Sequence, residues 1–528
     1  MVLPKRTVLP SVTESANKLS QILDEYNQKK DEQEKIDYVN NYIIEATSRP
    51  GTGTSYLSSE ILLKAPKHYF DKYDTPVKDA VLSIQESISS SENAKDPAII
   101  SNARQHPNDT KTKKIAYLKL ESAWLSYTEN TAKGRQIMQS LTTKVEHDIL
   151  KALVINELLG LGPLEPLWND NRITEIICNG PKDIQVEING NIHPVESCHF
   201  RNADHLQKLI DTLYASIDKS ISRTNPMERG RLSDNSRMMA VHQIVAPDGP
   251  NFNIRRHSEN YWGPDDVLKT DTANKELLTY LGNLIYDGLS YLVIGGTGTG
   301  KTTLLDALTA YYRPDARIVT LEDNLEMKPH PRKLLAAPME CVDGKPGSIN
   351  DRGITMRDLV HASLQMRPEV IIIGEVTDSA AYDLCQALNT GHAGASTVHA
   401  NSAPDAIYRL MSLITQSDLI KGRAAYDLIA SAIDIIVTVE RFPIDGSRKI
   451  TAVSEVGNKP EHDNENNLIL PVTPLWKYIP NAESYKENSH VTGEWKQVGE
   501  LSEYTRQKHH LDLKKHLSWE DLVKIAKI

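Results

Sequence analysis

The chain holds only four cysteines in 528 residues, Cys178, Cys198, Cys341 and Cys385, and none forms a C-x-x-C pair. That scatter excludes a disulfide scaffold and a tetra-cysteine zinc site, and it reads as dispersed reduced thiols. No run approaches the ~20 apolar residues that a bilayer-spanning helix needs. The start, Met1-Val2-Leu3-Pro4-Lys5-Arg6, lacks the apolar stretch of a secretory signal. An excess of positive charge is missing too: 60 Lys and Arg against 70 Asp and Glu leave a net charge of −10. With no aromatic-plus-basic strand face either, a nucleic-acid translocase is disfavoured. The expectation is a soluble cytoplasmic protein of three or four domains, at ~150 residues each.

The apolar share of 39% is low for one compact globule, because polar segments at the ends dilute it. Residues 1–84 are polar and weakly patterned; Leu19, Ile22, Leu23 and Tyr26 at helical spacing read as an exposed or partner-seeking helix within 14–46. Residues 85–114, rich in Ser, Asn and Lys with Pro97 and Pro107, read as a linker with little to bury. A helical segment follows over 115–160. Alternation of Ile184, Val186 and Ile188 before Asn189-Gly190 predicts a hairpin, so 161–257 reads as a small α/β lobe. Residues 258–272, with Gly263-Pro264, read as an interdomain linker.

Over 273–457 helical patterns alternate with strands at 291–294, 317–321, 370–373, 395–399 and 435–439, the signature of a mostly parallel sheet covered on both faces. The first helix there shows Leu277, Leu278, Leu281, Leu284 and Ile285 on one face and ends at Gly288. Residues 458–528 form a polar C-terminal extension, in which Leu517-Ser518-Trp519-Glu520-Asp521 predicts a capped final helix.

Gly295-Gly296-Thr297-Gly298-Thr299-Gly300-Lys301-Thr302 fits G-x-x-x-x-G-K-[ST], with a strand entering and a helix leaving. Glycines let the backbone curl so that successive N–H groups face a phosphate, and the helix N-terminus adds partial positive charge. In such a loop Lys301 reaches the β and γ phosphates and the Thr302 hydroxyl ligates Mg²⁺; Thr303 follows in the same turn. No N-K-x-D guanine signature occurs, so the expected nucleotide is ATP. The strand Val370-Ile371-Ile372-Ile373 ends in Gly374-Glu375, which delivers a carboxylate to Mg²⁺ and its waters. Another strand runs into Glu322, Asp323 and Glu326; these are more acids than Mg²⁺ needs, and Glu326 is the choice for polarising the attacking water. His392 and His399 flank a short strand with no third ligand of suitable spacing, which favours histidines satisfied by phosphate, carboxylate or backbone over a metal site.

These four blocks, in this order, resemble the type II/type IV secretion ATPase superfamily: a Walker A loop (Gly295–Thr302), an Asp box (Glu322–Glu326), a Walker B (Ile371–Glu375) and a His box (Gly391–His399). Upstream, Leu159–Leu167, Ile173–Pro181, Arg231–Arg237 and Ile254-Arg255-Arg256 are similar to the tight-adherence pilus branch. The resemblance covers roughly 145–456. It implies a RecA-like C-terminal ATPase domain, a smaller α/β, PAS-like N-terminal domain and a helical N-terminal extension. It also implies a homohexamer that works on an inner-membrane platform protein from the bacterial cytoplasm, associating with the membrane through partners. By motif matching, Glu326 is the catalytic acid, Glu375 the Walker B carboxylate, and Arg231, Arg237, Arg255 and Arg256 reach toward the phosphates, with His392 and His399 also at the nucleotide. Where the family commonly has Arg two residues after the Walker B Glu, this chain has Thr377, which passes that role to Arg357 or Arg367.

Overall fold

The computed structural model describes residues 59–527 except 90–97, 101, 104–109, 189, 233, 257–260, 328–334, 343, 345–352, 378–379, 417–418 and 482–490. The helix expected within 14–46 lies outside the described residues. The chain divides into two compact units, Met1–Ser258 and Glu259–Ile528. Among the described residues no helix is long and apolar enough to cross a membrane.

The first unit begins with α1 (Ser59–Lys64), α2 (Asp74–Ser89), α3 (Thr110–Asn130), α4 (Ala132–Ser140) and α5 (Lys144–Leu159). The helical segment 115–160 is broken by local chemistry. The Thr131 hydroxyl accepts from Gly134 N–H at the start of α4, and Thr143 with Glu146 forms a reciprocal cap at the start of α5. The segment 85–114, read as a linker, differs from that expectation: Ile100 and Ala103 are buried in the same core as Leu62, Tyr73, Val77 and Ile84. Short polar stretches hid two apolar side chains from the pattern.

Six antiparallel strands follow: β1 (Ile173–Asn179), β2 (Ile184–Ile188), β3 (Asn191–Pro194), β4 (Met227–Arg231), β5 (Arg237–Val241) and β6 (Asn251–Arg255), in the order β3-β2-β1-β6-β5-β4. Ile188 pairs with Asn191 around Gly190, whose φ of 77° suits the predicted two-residue hairpin turn. The helix α6 (Ala203–Ala215) buries Leu206, Leu209, Ile210 and Leu213 in the common core.

In the second unit, α7 (Pro264–Lys269) occupies the stretch expected to be a linker. Pro264 sits at its first turn, where a missing N–H costs nothing, and Val267 is buried. The helix α8 (Lys275–Tyr286) buries the predicted leucine face and ends before Gly288, at φ 89°. The strands are β7 (Tyr291–Gly295), β8 (Ile318–Glu322), β9 (Ala337–Glu340), β10 (Val370–Ile373), β11 (Ala393–His399), β12 (Ile435–Arg441), β13 (Arg448–Val456), a small hairpin of β14 (Glu461–His462) and β15 (Leu468–Ile469), then β16 (Val472–Pro480) and β17 (Gly493–Gln497). The nine-stranded sheet runs β17-β16-β13-β12-β7-β11-β10-β8-β9. Its parallel centre, β12-β7-β11-β10-β8, has the strand order of a RecA-like sheet.

Alternate residues of each central strand feed different cores. Leu292, Ile294, Ile371 and Ile373 join the helices on one face, α10 (Met356–Leu364), α11 (Ala380–Asn389), α12 (Ala403–Gln416) and α13 (Arg423–Ala432). Tyr291, Val293, Val370 and Ile372 join α8 and α9 (Lys301–Thr309) on the other. Burial on both faces is why these strands read as unbroken apolar runs. The extension beyond 457 is built into this sheet through β16 and β17, then adds α14 (Glu503–Lys508) and α15 (Trp519–Lys527), with Ser518 and Asp521 capping the last helix as predicted.

Candidate functional site

Parallel register sets what meets at the carboxyl edge of the sheet. Ile373 lies beside Leu321 and Ser396, and His399 lies beside Gly295. Glu322, Glu375, His399 and the Gly-rich loop therefore leave their strands at one edge, the edge at which open α/β sheets bind ligands.

The loop from β7 to α9 needs its glycines for two reasons. Gly298 and Gly300 take φ of 72° and 86°, and a Cβ on Gly295 would lie 2.3 Å from the Val439 carbonyl oxygen. The Thr299 hydroxyl donates to the Gly296 carbonyl at 2.9 Å. Lys301, 7% exposed, donates to that same carbonyl at 2.9 Å. Burial pushes the Lys301 ammonium below its ordinary pKa, against the pull of Glu375.

His399 links the two chemical residues of the loop and Walker B strand. Its Nδ1 lies 3.2 Å from Lys301 Nζ, and its Nε2 lies 3.3 Å from Glu375 Oε1. An ammonium only donates, so Nδ1 accepts and the ring proton sits on Nε2, pointing at the carboxylate. The result is a row of carboxylate, imidazole and ammonium beside the Gly-rich loop. Such a row matches the changing charge of a triphosphate's terminal group.

Glu322 has a different job from the one its motif suggests. It is 3% exposed, and its Oε2 accepts from the N–H groups of Glu326 and Met327 at 2.8 and 2.9 Å. It thus anchors the turn that carries Glu326, which is half-buried. Gly374 permits this, since a Cβ there would lie 2.9 Å from Glu322 Cγ.

His392 does not join the nucleotide edge within this unit. It precedes β11, so at ~3.3 Å per residue it lies about 23 Å along the strand from His399. Its Nδ1 is engaged locally by the Thr390 hydroxyl at 2.9 Å and the Ala387 carbonyl at 3.2 Å. Arg357 pairs with Asp383, Nε to Oδ2 at 3.4 Å, and Arg367 sits past α10 with a positive φ of 54°. Thr377 follows the Walker B strand, where Val376 N–H donates to the Thr397 carbonyl.

In the first unit, Arg231 faces Arg237 and Arg237 faces Arg255 across β4, β5 and β6, so the three guanidinium side chains stand in one row on one face. The register continues onto β1, where Glu175 faces Arg255, so the row carries a carboxylate at one end and guanidinium groups, which suit phosphate, along the rest. Arg256 points away from that role. Its guanidinium stacks 4.3 Å from the Trp168 ring centroid and donates to the Trp168 and Ile173 carbonyls. The sequence cannot separate Arg255 from Arg256, whereas strand alternation does.

One residue escaped the motif reading. Arg448, on β13, donates from Nε to the Gly298 carbonyl at 3.3 Å, and its Cδ stands 3.2 Å from where a Cβ of Gly300 would be. The only advance signal was the Asp445-Gly446 turn, which brings Arg448 opposite Arg441.

The residues suit Mg²⁺ and ATP by their chemistry. The Thr302 hydroxyl in the first turn of α9 and the Glu375 carboxylate are hard oxygen donors at one edge, and Mg²⁺ uses one or two such ligands with phosphate oxygens and waters. Among the described residues, no group of three or more His, Cys, Asp or Glu side chains could itself hold a metal ion.

A family model described as type II/IV secretion system protein matches residues 157–441. The chain belongs to that family. It is 32% identical over 278 residues to the conjugal transfer protein TrbB of Rhizobium radiobacter, covering 52% of this chain and 81% of the relative. It is 30% identical over 275 residues to an uncharacterized protein of Methanocaldococcus jannaschii, covering 51% of this chain and only 48% of that relative's length. Among solved structures it is similar to the VirB11 ATPase of the Brucella suis type IV secretion system, with a TM-score of 0.30 and 23% identity over 56% of this chain and 92% of that one. The match supports membership of the secretion superfamily as a whole and does not single out the tight-adherence branch.

Proposed function

We propose that this chain hydrolyses ATP and uses the energy to drive a pilus or secretion machine. The observation that carries this reading is the Glu375–His399–Lys301 row beside the Gly-rich loop. The loop amides, the α9 N-terminus and Lys301 hold the triphosphate. Thr302 and Glu375 would hold Mg²⁺, which when bound would neutralise charge on the phosphate oxygens. Glu326, on the turn anchored by Glu322, orients the attacking water and takes up its proton. His399 senses the terminal phosphate, because it touches both the ammonium that grips it and the carboxylate that faces it.

The arginine row of Arg231, Arg237 and Arg255 is the proposed source of further positive charge toward the phosphates. The chain works as a homohexamer in the bacterial cytoplasm, pushing on an inner-membrane platform protein to add or remove pilin subunits in a tight-adherence-like system. A second reading, the ATPase of a conjugative or effector-delivering type IV system, is favoured by the conjugal transfer relative.

The test is phosphate release from ATP and Mg²⁺ by the purified chain. Wild type is expected to turn over, while Lys301→Ala and Glu375→Gln, folded by circular dichroism, fall at least a hundredfold. Undiminished hydrolysis by either variant overturns the site assignment. Neighbouring genes separate the two readings: prepilin and prepilin peptidase support a pilus, a coupling protein and relaxase support conjugation.

A further inference from the structure

The C-terminal extension reaches the phosphate loop through a continuous set of contacts, and both ends of that set lie beyond the residues the family model matches. At the loop end stands Arg448. Its Nε holds the Gly298 carbonyl at 3.3 Å, and its stem lies against Gly300. These are the two loop residues with positive φ, the conformations that glycine leaves most easily.

The turn that carries Arg448 is fastened at its base and tip. Phe442 N–H donates to the Ser447 carbonyl and Gly446 N–H to the Phe442 carbonyl, both at 2.8 Å. One Asp445 oxygen accepts from Ser447 N–H at 2.9 Å, and the other accepts from Val491 N–H at 2.8 Å, within the extension. Aromatic rings brace the same hairpin. Phe442 packs edge-on against Tyr478 of β16, Tyr478 packs against Trp495 of β17 at 4.8 Å, and the Trp495 indole donates to the Ile450 carbonyl at 2.7 Å.

We infer that Arg448 is a positioning residue for the phosphate loop, and that the C-terminal extension holds it in place through Asp445 and the Phe442–Tyr478–Trp495 stack. A carbonyl drawn outward by a guanidinium turns the amides of the same glycine turn inward, where a phosphate binds them. Holding the loop before the ligand arrives removes part of the ordering cost of binding. The held loop grips substrate and transition state alike, so its loss raises KM and leaves kcat nearly unchanged.

The inference rests on the loop being the ATP site, and the experiment keeps the two apart. The full-length chain and its Arg448→Met, Arg448→Lys and Asp445→Ala variants are assayed for KM and kcat with ATP, and for ADP affinity by calorimetry. Arg448→Met keeps the stem and removes the donor, so KM and the ADP dissociation constant should rise together by roughly three- to tenfold, the worth of one hydrogen bond. Arg448→Lys can still donate to Gly298 and should recover part of the loss. Asp445→Ala, at the far end of the brace, should move both constants the same way by less. Wild-type constants in Arg448→Met, or a fall in kcat alone, overturn the inference while leaving the ATP site standing. A wild-type chain that takes no ATP or ADP overturns the site and the brace together.

Discussion

Replacing Glu322 by alanine separates the two roles that a run of acids after β8 presents. The carboxylate receives two N–H groups, from Glu326 and Met327, at 2.8 and 2.9 Å, in a site where Glu322 is 3% exposed. Hydrogen bonds to a charged group contribute about 1.5–3 kcal/mol each. Removing both costs about 3 kcal/mol if the freed amides can turn to water, and about twice that if they cannot. At ~2–4 °C per kcal/mol for a unit of this size, Tm should fall by at least about 6–12 °C. Because the released turn carries Glu326, kcat should also fall roughly tenfold with little change in KM, the pattern of a group that acts in the transition state. Glu322→Gln keeps a carbonyl oxygen that can accept both amides but loses the charge that strengthens them, and should lie between. Scanning calorimetry and steady-state phosphate release read the two effects. An alanine variant with wild-type melting and wild-type kcat would refute the anchoring role.

Two further outcomes follow from buried groups. Asp434, 4% exposed, accepts from Ser290 N–H and from Lys508 Nζ at 2.7 Å, with His509 Nε2 at 3.1 Å. Burial pushes its carboxyl pKa up, but His509 and Lys508 outweigh that and hold it below the usual range. A depressed carboxyl adds stability that is present above its unfolded pKa of about 3.9 and lost as pH falls through the folded value. Urea melts should therefore show the second unit weakening below about pH 4, and Asp434→Asn should remove that part of the slope; an unchanged slope contradicts the assignment. Cys178, Cys198 and Cys385 are buried, which pushes the Cys198 and Cys385 thiols up to about 12, whereas Cys341 is half-buried. A thiol reagent near pH 7.5 should modify one cysteine quickly in the native protein and four in denaturant, and two fast native thiols would be the contrary result.

What was legible in the sequence is what local pattern encodes. The Gly-rich loop, the apolar strands and the leucine face of α8 each depend on a few consecutive residues, and the structure shows them where the pattern put them. Roles that depend on strand order were hidden. His392 and His399 look alike in sequence, but only the β11–β7 register brings His399 beside Gly295. Arg255 and Arg256 differ by one residue, and the pleat alone turns one toward the arginine row and the other onto Trp168. Glu322 looked like one acid among three until its burial and its two amides set it apart. The tail read as polar because β16 buries only Leu475, Trp476 and Tyr478 of its nine residues, yet β16 extends the nine-stranded sheet.

The central claim is that a triphosphate is gripped by the 295–302 loop and Lys301 and is cleaved there. The most direct measurement sets wild type beside Lys301→Ala in one assay of phosphate released from ATP with Mg²⁺. The account predicts steady release that the variant loses while its fold and melting are kept. Equal release from the two proteins would contradict it.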